Sequence, residues 1–224
     1  GTGEGLDFMH LISLARCLAR LPSESDGSAP PPLRGAALLD RLAAYTCPDG
    51  AYNTVAGAPI GSATANYLVA TVCQDLGMAI PTGANLVQSL TSLRSADGAY
   101  ANLPGLAAGT TLATAAALTL QHAFAQPLDW PAAQWLLDRF TEDGGCLSTP
   151  GAPIPDLLST ATAVLAFHML GLDTSEIAPA CLAFVDSLKQ RDGGYSGHRL
   201  DATADCEYTF YALMTMGCLW EPGN

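Results

Sequence analysis

The sequence predicts an all-α fold of helical hairpin repeats arranged in two concentric layers. Four Asp-Gly pairs recur along the 224 residues at intervals of 48, 46 and 49 residues: Asp49-Gly50, Asp97-Gly98, Asp143-Gly144 and Asp192-Gly193. A period of about 20 to 50 residues indicates stacked supersecondary units. An amphipathic helix is predicted before each pair, and a more apolar helix after it. This alternation indicates an outer layer with one face in solvent and an inner layer that is enclosed.

The predicted outer helices share one polar face. Leu, Val, Phe and Trp recur in them at spacings of three and four residues, with polar residues between. The segments are "PLRGAALLDRLAAYT", "GANLVQSLTSLRS", "PAAQWLLDRFTE" and "IAPACLAFVDSLKQ". Each leads into an Asp-Gly turn, where glycine supplies the positive φ that stops a helix and reverses the chain.

The predicted inner helices are apolar on nearly all faces: "SATANYLVATVCQDLG", "GTTLATAAALTLQHAF", "LLSTATAVLAFHMLG" and "DCEYTFYALMTMG". The opening segment "GLDFMHLISLARCLARL" has the same character, so five inner and four outer helices are expected. The chain is interpreted as a single domain, 1–224, with an N-terminal half-repeat at 6–21 and repeats at about 33–77, 84–124, 131–171 and 178–219. His122 and His168, late in two inner helices, are expected to be buried and neutral.

The composition narrows the classes of function. The net charge is -12, and such a chain repels nucleic acids and anionic membranes. Seven cysteines, an odd number with no CxxC pair, indicate free thiols in a reducing compartment and predict a cytoplasmic location. The most apolar run, 106–125, contains four threonines, so it is interpreted as a buried helix and not as a transmembrane segment.

The fourth unit, "QRDGGYSGHRLDATADCEYTFYALMTMG", carries the pattern "Q-x-D-G-G-[FYW]…G…D-x-x-x-T-x-x-A-L-x-x-L-G" nearly intact. On this pattern and the four in-phase units, the sequence resembles the prenyltransferase and squalene-cyclase repeat superfamily, the α/α-toroids. The resemblance implies a toroid, or an incomplete arc of one, because five inner and four outer helices fall short of six pairs. It is strongest to the β subunits of protein prenyltransferases. Because those act with a separate α subunit, it also implies a partner subunit or self-association.

The same resemblance implies a set of ligand-binding residues. The β subunits carry "G-G-x-x-G-R-x-x-K-x-x-D-x-C-Y-S-[FW]-W", in which Arg, Lys and Tyr hold a prenyl diphosphate. In the corresponding "GGYSGHRLDATADCEYTFY", Tyr208 matches the Tyr, and His198 or Arg199 falls near the Arg. The Lys has no counterpart near Asp201. The predicted ligand-binding residues are His198, Arg199, Tyr208 and the neighbouring aromatic Tyr211, although a surface loop with solvated charges also explains the cations.

Zinc is the metal that the resemblance implies. Asp205 matches the metal-binding Asp, Glu207 occupies the Cys position, and Cys206 is displaced by one residue. His10, in "DFMHL", resembles the His of "D-x-x-H-T", which gives Asp205, Cys206 and His10 as the candidate metal ligands. Zinc sites need three protein ligands and an open position for catalysis. The competing interpretation is that Asp205 caps the helix and Glu207 adds a favourable charge to its first turn.

Two functions follow from the resemblance. In the first, an apolar central cavity holds a prenyl or terpenoid chain, with prenyl transfer or cyclisation catalysed beside the candidate carboxylates Asp205 and Glu207. The "Asp-x-Asp-Asp" acid of squalene-type cyclases is absent from the sequence. In the second function, the chain is a non-catalytic binding module that presents a hydrophobic groove to a small molecule or a protein.

Overall fold

The computed structural model describes residues 5–20, 40–80, 83–191 and 193–220. Within these residues the secondary structure is helical, and the only extended pairings are isolated β-bridges. The predicted all-α class is confirmed. The chain divides into two compact units, residues 1–93 and 94–224.

The described residues of the first unit include the helices α1 (Phe8–Arg20), α2 (Ala63–Asp75) and α3 (Gly83–Ser89). A helical turn at 40–42 continues into a 3-10 helix, Ala43–Tyr45, and α3 continues into another, Leu90–Leu93. Helices α1 and α2 pack against each other. Arg16 and Arg20 both donate hydrogen bonds to the carboxylate of Asp75, at 2.9 and 2.7 Å. The start of the first predicted outer helix lies outside the described residues.

The second unit contains five α-helices: α4 (Thr111–Ala123), α5 (Trp130–Leu137), α6 (Leu157–Leu170), α7 (Ala178–Ser187) and α8 (Cys206–Leu219). The inner helices α4, α6 and α8 pack side by side, with α6 in the middle. The outer helix α5 packs on α4, and α7 packs on α8. This unit therefore has the two helical layers that the alternating patterns predict.

The glycine of each Asp-Gly pair ends the outer segment as predicted. Their φ angles are all positive, between 76° and 93°: Gly50, Gly98, Gly144 and Gly193. Each turn closes with a bridge between residues six apart: Thr46 and Tyr52, Arg94 and Tyr100, Phe140 and Cys146, Lys189 and Tyr195. Asp192 lies outside the described residues.

The inner helices form the core of the second unit. Nine residues of α4 are buried, seven of them Ala or Thr, and α6 buries a similar stretch. Small side chains allow such helices to approach closely. The prediction for His122 and His168 is wrong, because both are exposed. Each lies in the last turn of its helix, and His168 borders an open groove.

All seven cysteines are free thiols, and four of them are buried: Cys47, Cys73, Cys146 and Cys181. Burial raises the pKa of the Cys181 thiol to about 12, so this thiol is protonated at neutral pH and is a poor nucleophile. Among the described helices, none combines the length and the hydropathy needed to span a bilayer.

Candidate functional site

Each inner helix begins at a polar side chain that accepts a hydrogen bond from the backbone N–H three residues later. These cap residues are Asp7, Ser62, Thr110, Asp156 and Asp205. Such caps satisfy N–H groups that have no partner inside the helix. Asp205, predicted as a metal ligand and catalytic carboxylate, accepts from the Tyr208 N–H at 2.7 Å. The structure therefore gives Asp205 the capping role of the competing interpretation.

The polar residue at the Thr position of the repeat pattern links each of four inner helices to the turn before it. The residue four positions after the cap accepts a hydrogen bond from a backbone N–H in the turn, 14 residues earlier. The pairs are Asn66 with Tyr52, Thr114 with Tyr100, Thr160 with Cys146, and Thr209 with Tyr195. Sequence analysis missed this function, although the constant spacing of 14 residues is a signal that reveals it.

One face is accessible in both α6 and α8. Counting from the cap, the residues at positions 2, 6 and 9 of these helices are half-buried or exposed. In α6 all other residues from Leu157 to Phe167 are buried, whereas α8 buries only Ala212, Thr215 and Leu219. We call the six residues at positions 2, 6 and 9 the accessible stripe: Leu158, Thr162, Leu165, Glu207, Tyr211 and Met214. Because α6 and α8 pack side by side, the two rows lie next to each other. Three of the six residues of the stripe, Leu158, Leu165 and Met214, are aliphatic or thioether, and the other three carry a hydroxyl or a carboxyl group.

The polar end of the accessible stripe belongs to α8. Glu207 is exposed in the first turn, where a negative charge interacts favourably with the helix dipole. The hydroxyl of Tyr211 lies 3.4 Å from Glu207 Oε1, to which it donates a long hydrogen bond. Of the two predicted catalytic carboxylates, Glu207 lies on the stripe and Asp205 caps the helix.

Tyr208 lies away from the stripe, over the backbone of the loop before α8. Its ring leaves no room for a side chain at residue 197, because a Cβ on Gly197 would lie 2.4 Å from Tyr208 Cζ. Burial raises the pKa of Tyr208, and nearby carboxylates, Glu207 and Asp205 foremost, raise it further. This negative potential disfavours a diphosphate at the Tyr208 hydroxyl.

Arg199, one of the predicted diphosphate ligands, is engaged by other residues of the chain. Its guanidinium forms an ion pair with Asp143, and its Nε donates to Ser187 Oγ at 3.2 Å. The same group stacks over the ring of Phe184 at 5.4 Å. His198 is tied into its own turn, where Nδ1 accepts from the Leu200 N–H at 3.2 Å. An anion would have to displace Asp143 to use Arg199.

The Arg199–Asp143 pair depends on a change of sequence in the third repeat. In the second repeat, Asp97 accepts a hydrogen bond from the N–H of Gly109, twelve residues later. In the third repeat, the twelfth residue after Asp143 is Pro155, which has no N–H. Both carboxylates accept from the hydroxyl two residues earlier, Ser95 or Thr141, and Asp143 accepts in addition from Arg199.

The proposed zinc ligands are divided between the two units. Asp205 and Cys206 border an open groove of about 530 Å³. His10 belongs to the first unit, and its Nδ1 lies 2.7 Å from Asp7 Oδ1. No group of three His, Cys, Asp or Glu side chains in the described ranges could hold a metal. Asp205 and Cys206 alone do not fit zinc, and zinc binding stays a prediction.

Comparison with known proteins places this arrangement in a family. The family model described as the prenyltransferase alpha-alpha toroid domain matches residues 28–147 and 129–222. No individually curated protein matches the chain.

Three solved structures resemble the fold. A variant of the type II terpene cyclase MstE from Scytonema, in complex with its product merosterolic acid A, aligns with a TM-score of 0.69 and 14% identity over 94% of this chain. The ent-copalyl diphosphate synthase of Streptomyces platensis aligns with a TM-score of 0.65 and 21% identity over 97%. Candida albicans protein geranylgeranyltransferase-I, complexed with GGPP, aligns at 0.58 and 14% over 76%.

The chain spans less than two thirds of the length of these proteins: 63% of the cyclase, 40% of the synthase and 51% of the transferase. At such low identity, the likeness establishes the fold and not the chemistry.

Proposed function

Since this chain belongs to the family of the prenyltransferase alpha-alpha toroid domain, we propose that it is an isoprenoid-handling protein. The accessible stripe binds the hydrocarbon of a prenyl or terpenoid ligand, and Glu207 and Tyr211 lie beside the head group. The observation that carries this proposal is the stripe itself, in which Leu158 and Leu165 of α6 and Met214 of the adjacent helix α8 are accessible.

The side chains of the stripe suit a branched hydrocarbon. Leu158 and Leu165 present methyl groups, and Met214 adds a flexible thioether that adapts to irregular shapes. Each methylene that a ligand buries contributes about 0.8 kcal/mol. Several isoprene units therefore supply enough affinity for binding without a strong anchor at the head group.

The charges around the polar end favour a neutral head group. Glu207 and Asp205 lie near Tyr208 and raise its pKa after burial, which is the larger cause. Arg199 is paired with Asp143. A prenyl alcohol or a neutral terpenoid fits these surroundings better than a diphosphate does.

For chemistry at the stripe, the proposal assigns the catalytic carboxyl group to Glu207. Cyclisation of a terpenoid begins when an acid protonates an alkene, so Glu207 acts in its protonated form, which a hydrocarbon ligand that covers the carboxyl group favours over the carboxylate. Asp205 accepts a backbone hydrogen bond in its capping role, so it is a weaker candidate. We derive no step that depends on zinc, because Asp205 and Cys206 do not provide the three ligands that zinc needs.

The test compares the binding of farnesol and farnesyl diphosphate to the chain and to two variants. We expect farnesol to bind at least as tightly as the diphosphate. Leu165→Gln on the stripe weakens binding about tenfold, which corresponds to a loss of about 1.4 kcal/mol of contact. The matched control Leu137→Gln, on the exposed side of α5, leaves binding unchanged. Equal effects of the two variants, or tight binding of the diphosphate alone, would contradict the proposal.

A binding module is the second candidate, and one surface favours it. An open groove of about 940 Å³ lies between the start of α7 and the end of α8, and Trp220 on its border is 74% exposed. Exposed apolar grooves mark interaction sites. Mass spectrometry after incubation with prenyl substrates separates the two candidates. Product that disappears in Glu207→Gln supports an enzyme, whereas binding without product supports the module.

The proposal includes a cytoplasmic location. Seven free thiols are compatible with a reducing compartment, and two of them, Cys17 and Cys206, are exposed.

A further inference from the structure

The second repeat contains a network of polar side chains at positions that are apolar in the third repeat. Four side chains are joined by hydrogen bonds: Arg94, Tyr100, Gln121 and Asp129. The residues at the same positions of the third repeat are Phe140, Cys146, Phe167 and Ile177. This correspondence follows from the bridge of each turn, the eleventh position after the cap of each inner helix and the residue before each outer helix. The second repeat must therefore satisfy hydrogen-bonding groups in a place where the third repeat packs apolar side chains.

The hydrogen bonds of Tyr100 fix the orientation of the Gln121 amide group. Burial would raise the pKa of Asp129, but hydrogen bonds from Arg94 and Tyr100 hold that pKa below its usual value, so Asp129 is a carboxylate at neutral pH. The Tyr100 hydroxyl has one proton, and it donates this proton to Asp129 Oδ2 at 2.8 Å. The Gln121 atom that lies 3.1 Å from the same hydroxyl must then be the donor Nε2. Gln121 Oε1 is therefore the amide atom outside this network.

Gln121 Oε1 is buried, and no described residue donates a hydrogen bond to it. Nearly all buried polar atoms of folded proteins bond either to the protein or to ordered water. Gln121 lines a cavity of about 60 Å³ between the ends of α4 and α6, together with two further polar residues, His122 and Gln126. A buried acceptor, a cavity and additional polar groups therefore occur at one place.

The volume of the cavity limits the size of what it binds. A water molecule occupies about 30 Å³ of the liquid, so about 60 Å³ accepts about two of them. Pockets for small organic ligands begin at about 300 Å³. Arg94 and Asp129 form an ion pair, so the network has no net charge that would require a counter-ion. The surroundings suit a small neutral hydrogen-bond donor, which water is.

We propose that this cavity is a binding site for ordered water, in which one water molecule donates a hydrogen bond to Gln121 Oε1. His122 and Gln126, which line the same cavity, supply its other hydrogen-bond partners. The bound water completes the polar network, which joins the segment before the second turn to α4 and to the cap of α5. The site shares no residue with the accessible stripe and is independent of the isoprenoid proposal.

The experiment measures nuclear Overhauser effects between water and the methyl groups of two leucines of α4. Leu118 lines the cavity and Leu120 does not, and both are only 1% exposed, so bulk solvent reaches neither. We expect a water signal at Leu118 and none at Leu120. A crystal structure of the unaltered chain should show density for water within about 3 Å of Gln121 Oε1.

Gln121→Met removes the acceptor and keeps an unbranched, flexible side chain. We expect this variant to lose both the water signal at Leu118 and the density. Gln134→Met is the matched control, because Gln134 is exposed on α5 and does not line the cavity, so the signal should remain. Circular dichroism checks that both variants are folded.

Three results would overturn the proposal. The first is an unaltered chain without a water signal at Leu118, a result that does not depend on the folding of any variant. The second is a signal that persists in folded Gln121→Met, because other groups would then hold the water. The third is density for an ion or an organic molecule at Gln121 Oε1, because the ligand would then not be water.

Discussion

The Asp-Gly turns of the second and third repeats use the same first residue in different ways. Asp97 accepts from the Gly109 N–H of its own repeat at 3.1 Å and from Trp135 Nε1 of the next repeat at 2.9 Å. Asp143 also reaches into the next repeat, where it pairs with Arg199, but its own repeat has Pro155 at the position of Gly109 and therefore offers no N–H there. The comparison teaches that a repeated residue keeps its turn geometry while its side chain is free to acquire a new partner.

The largest expected effect distinguishes the glycines of these two turns. Their φ angles are nearly equal, 86° at Gly98 and 87° at Gly144. A Cβ at Gly98 would meet no atom within 4 Å, whereas one at Gly144 would lie 2.0 Å from the Ala180 carbonyl carbon. Gly98→Ala should cost about 1 to 2 kcal/mol through its backbone conformation alone. Gly144→Ala should cost about 4 kcal/mol, because overpacking adds to that strain.

Urea unfolding of the two glycine variants measures the difference. In the extreme case, Gly144→Ala is unfolded and shows no helical circular dichroism signal even without denaturant. Equal destabilisation of the two variants would contradict the close contact between α7 and the turn at Gly144.

A smaller effect should distinguish the two carboxylates. Asp97→Ala removes the acceptor of the Trp135 indole N–H and of the Gly109 N–H, at a cost of about 2 kcal/mol. Asp143→Ala breaks an ion pair whose side chains are 47% and 41% exposed, and such pairs contribute less than about 1 kcal/mol. The unfolding midpoint in urea should therefore fall further for Asp97→Ala. A larger loss for Asp143→Ala would reverse the assignment of roles.

The smallest expected effect is a dependence of stability on pH, which comes from Asp129 between the second and third repeats. Burial alone would raise the pKa of Asp129, but hydrogen bonds from Arg94 and Tyr100 outweigh it and hold that pKa below its usual value. A lowered carboxyl pKa contributes stability that is fully present above the ordinary value of about 4 and is lost as the pH falls through the lowered value. The unaltered chain should therefore lose thermal stability below about pH 4.

Asp129→Asn provides the control for this pH dependence. The variant lacks the titrating group, so its deficit in melting temperature should be largest at neutral pH and shrink below about pH 4. A deficit that stays constant across this range would show that Asp129 stabilises the repeat without its charge.

The local elements followed from the sequence because their signals are local. Asp-Gly spacing predicted the turns, and the structure confirms the positive φ of their glycines. The pattern of apolar residues predicted the buried inner helices. His122 and His168 were misjudged because periodicity does not show how far along a helix its neighbours extend.

The candidate site was less predictable. The resemblance assigned ligand roles to Arg199 and Tyr208, but roles of that kind depend on partners far away in the chain. Asp143, the partner of Arg199, is 56 residues earlier. Similarly, Glu207 and Leu158 lie on one accessible stripe because α6 and α8 occupy equivalent places in the layer. No short sequence motif predicts that residues of two different helices share one surface.

By itself, the sequence determined the helices, turns and caps of this protein, since hydrogen bonds and backbone preferences within a few residues decide them. The repeat pattern also determined the family. Only the tertiary structure decided that Arg199 is paired with Asp143 and that Leu158 and Glu207 lie on one stripe. The physical reason is that burial and ion pairing are properties of contacts between distant segments, so identical positions in successive repeats can have opposite environments.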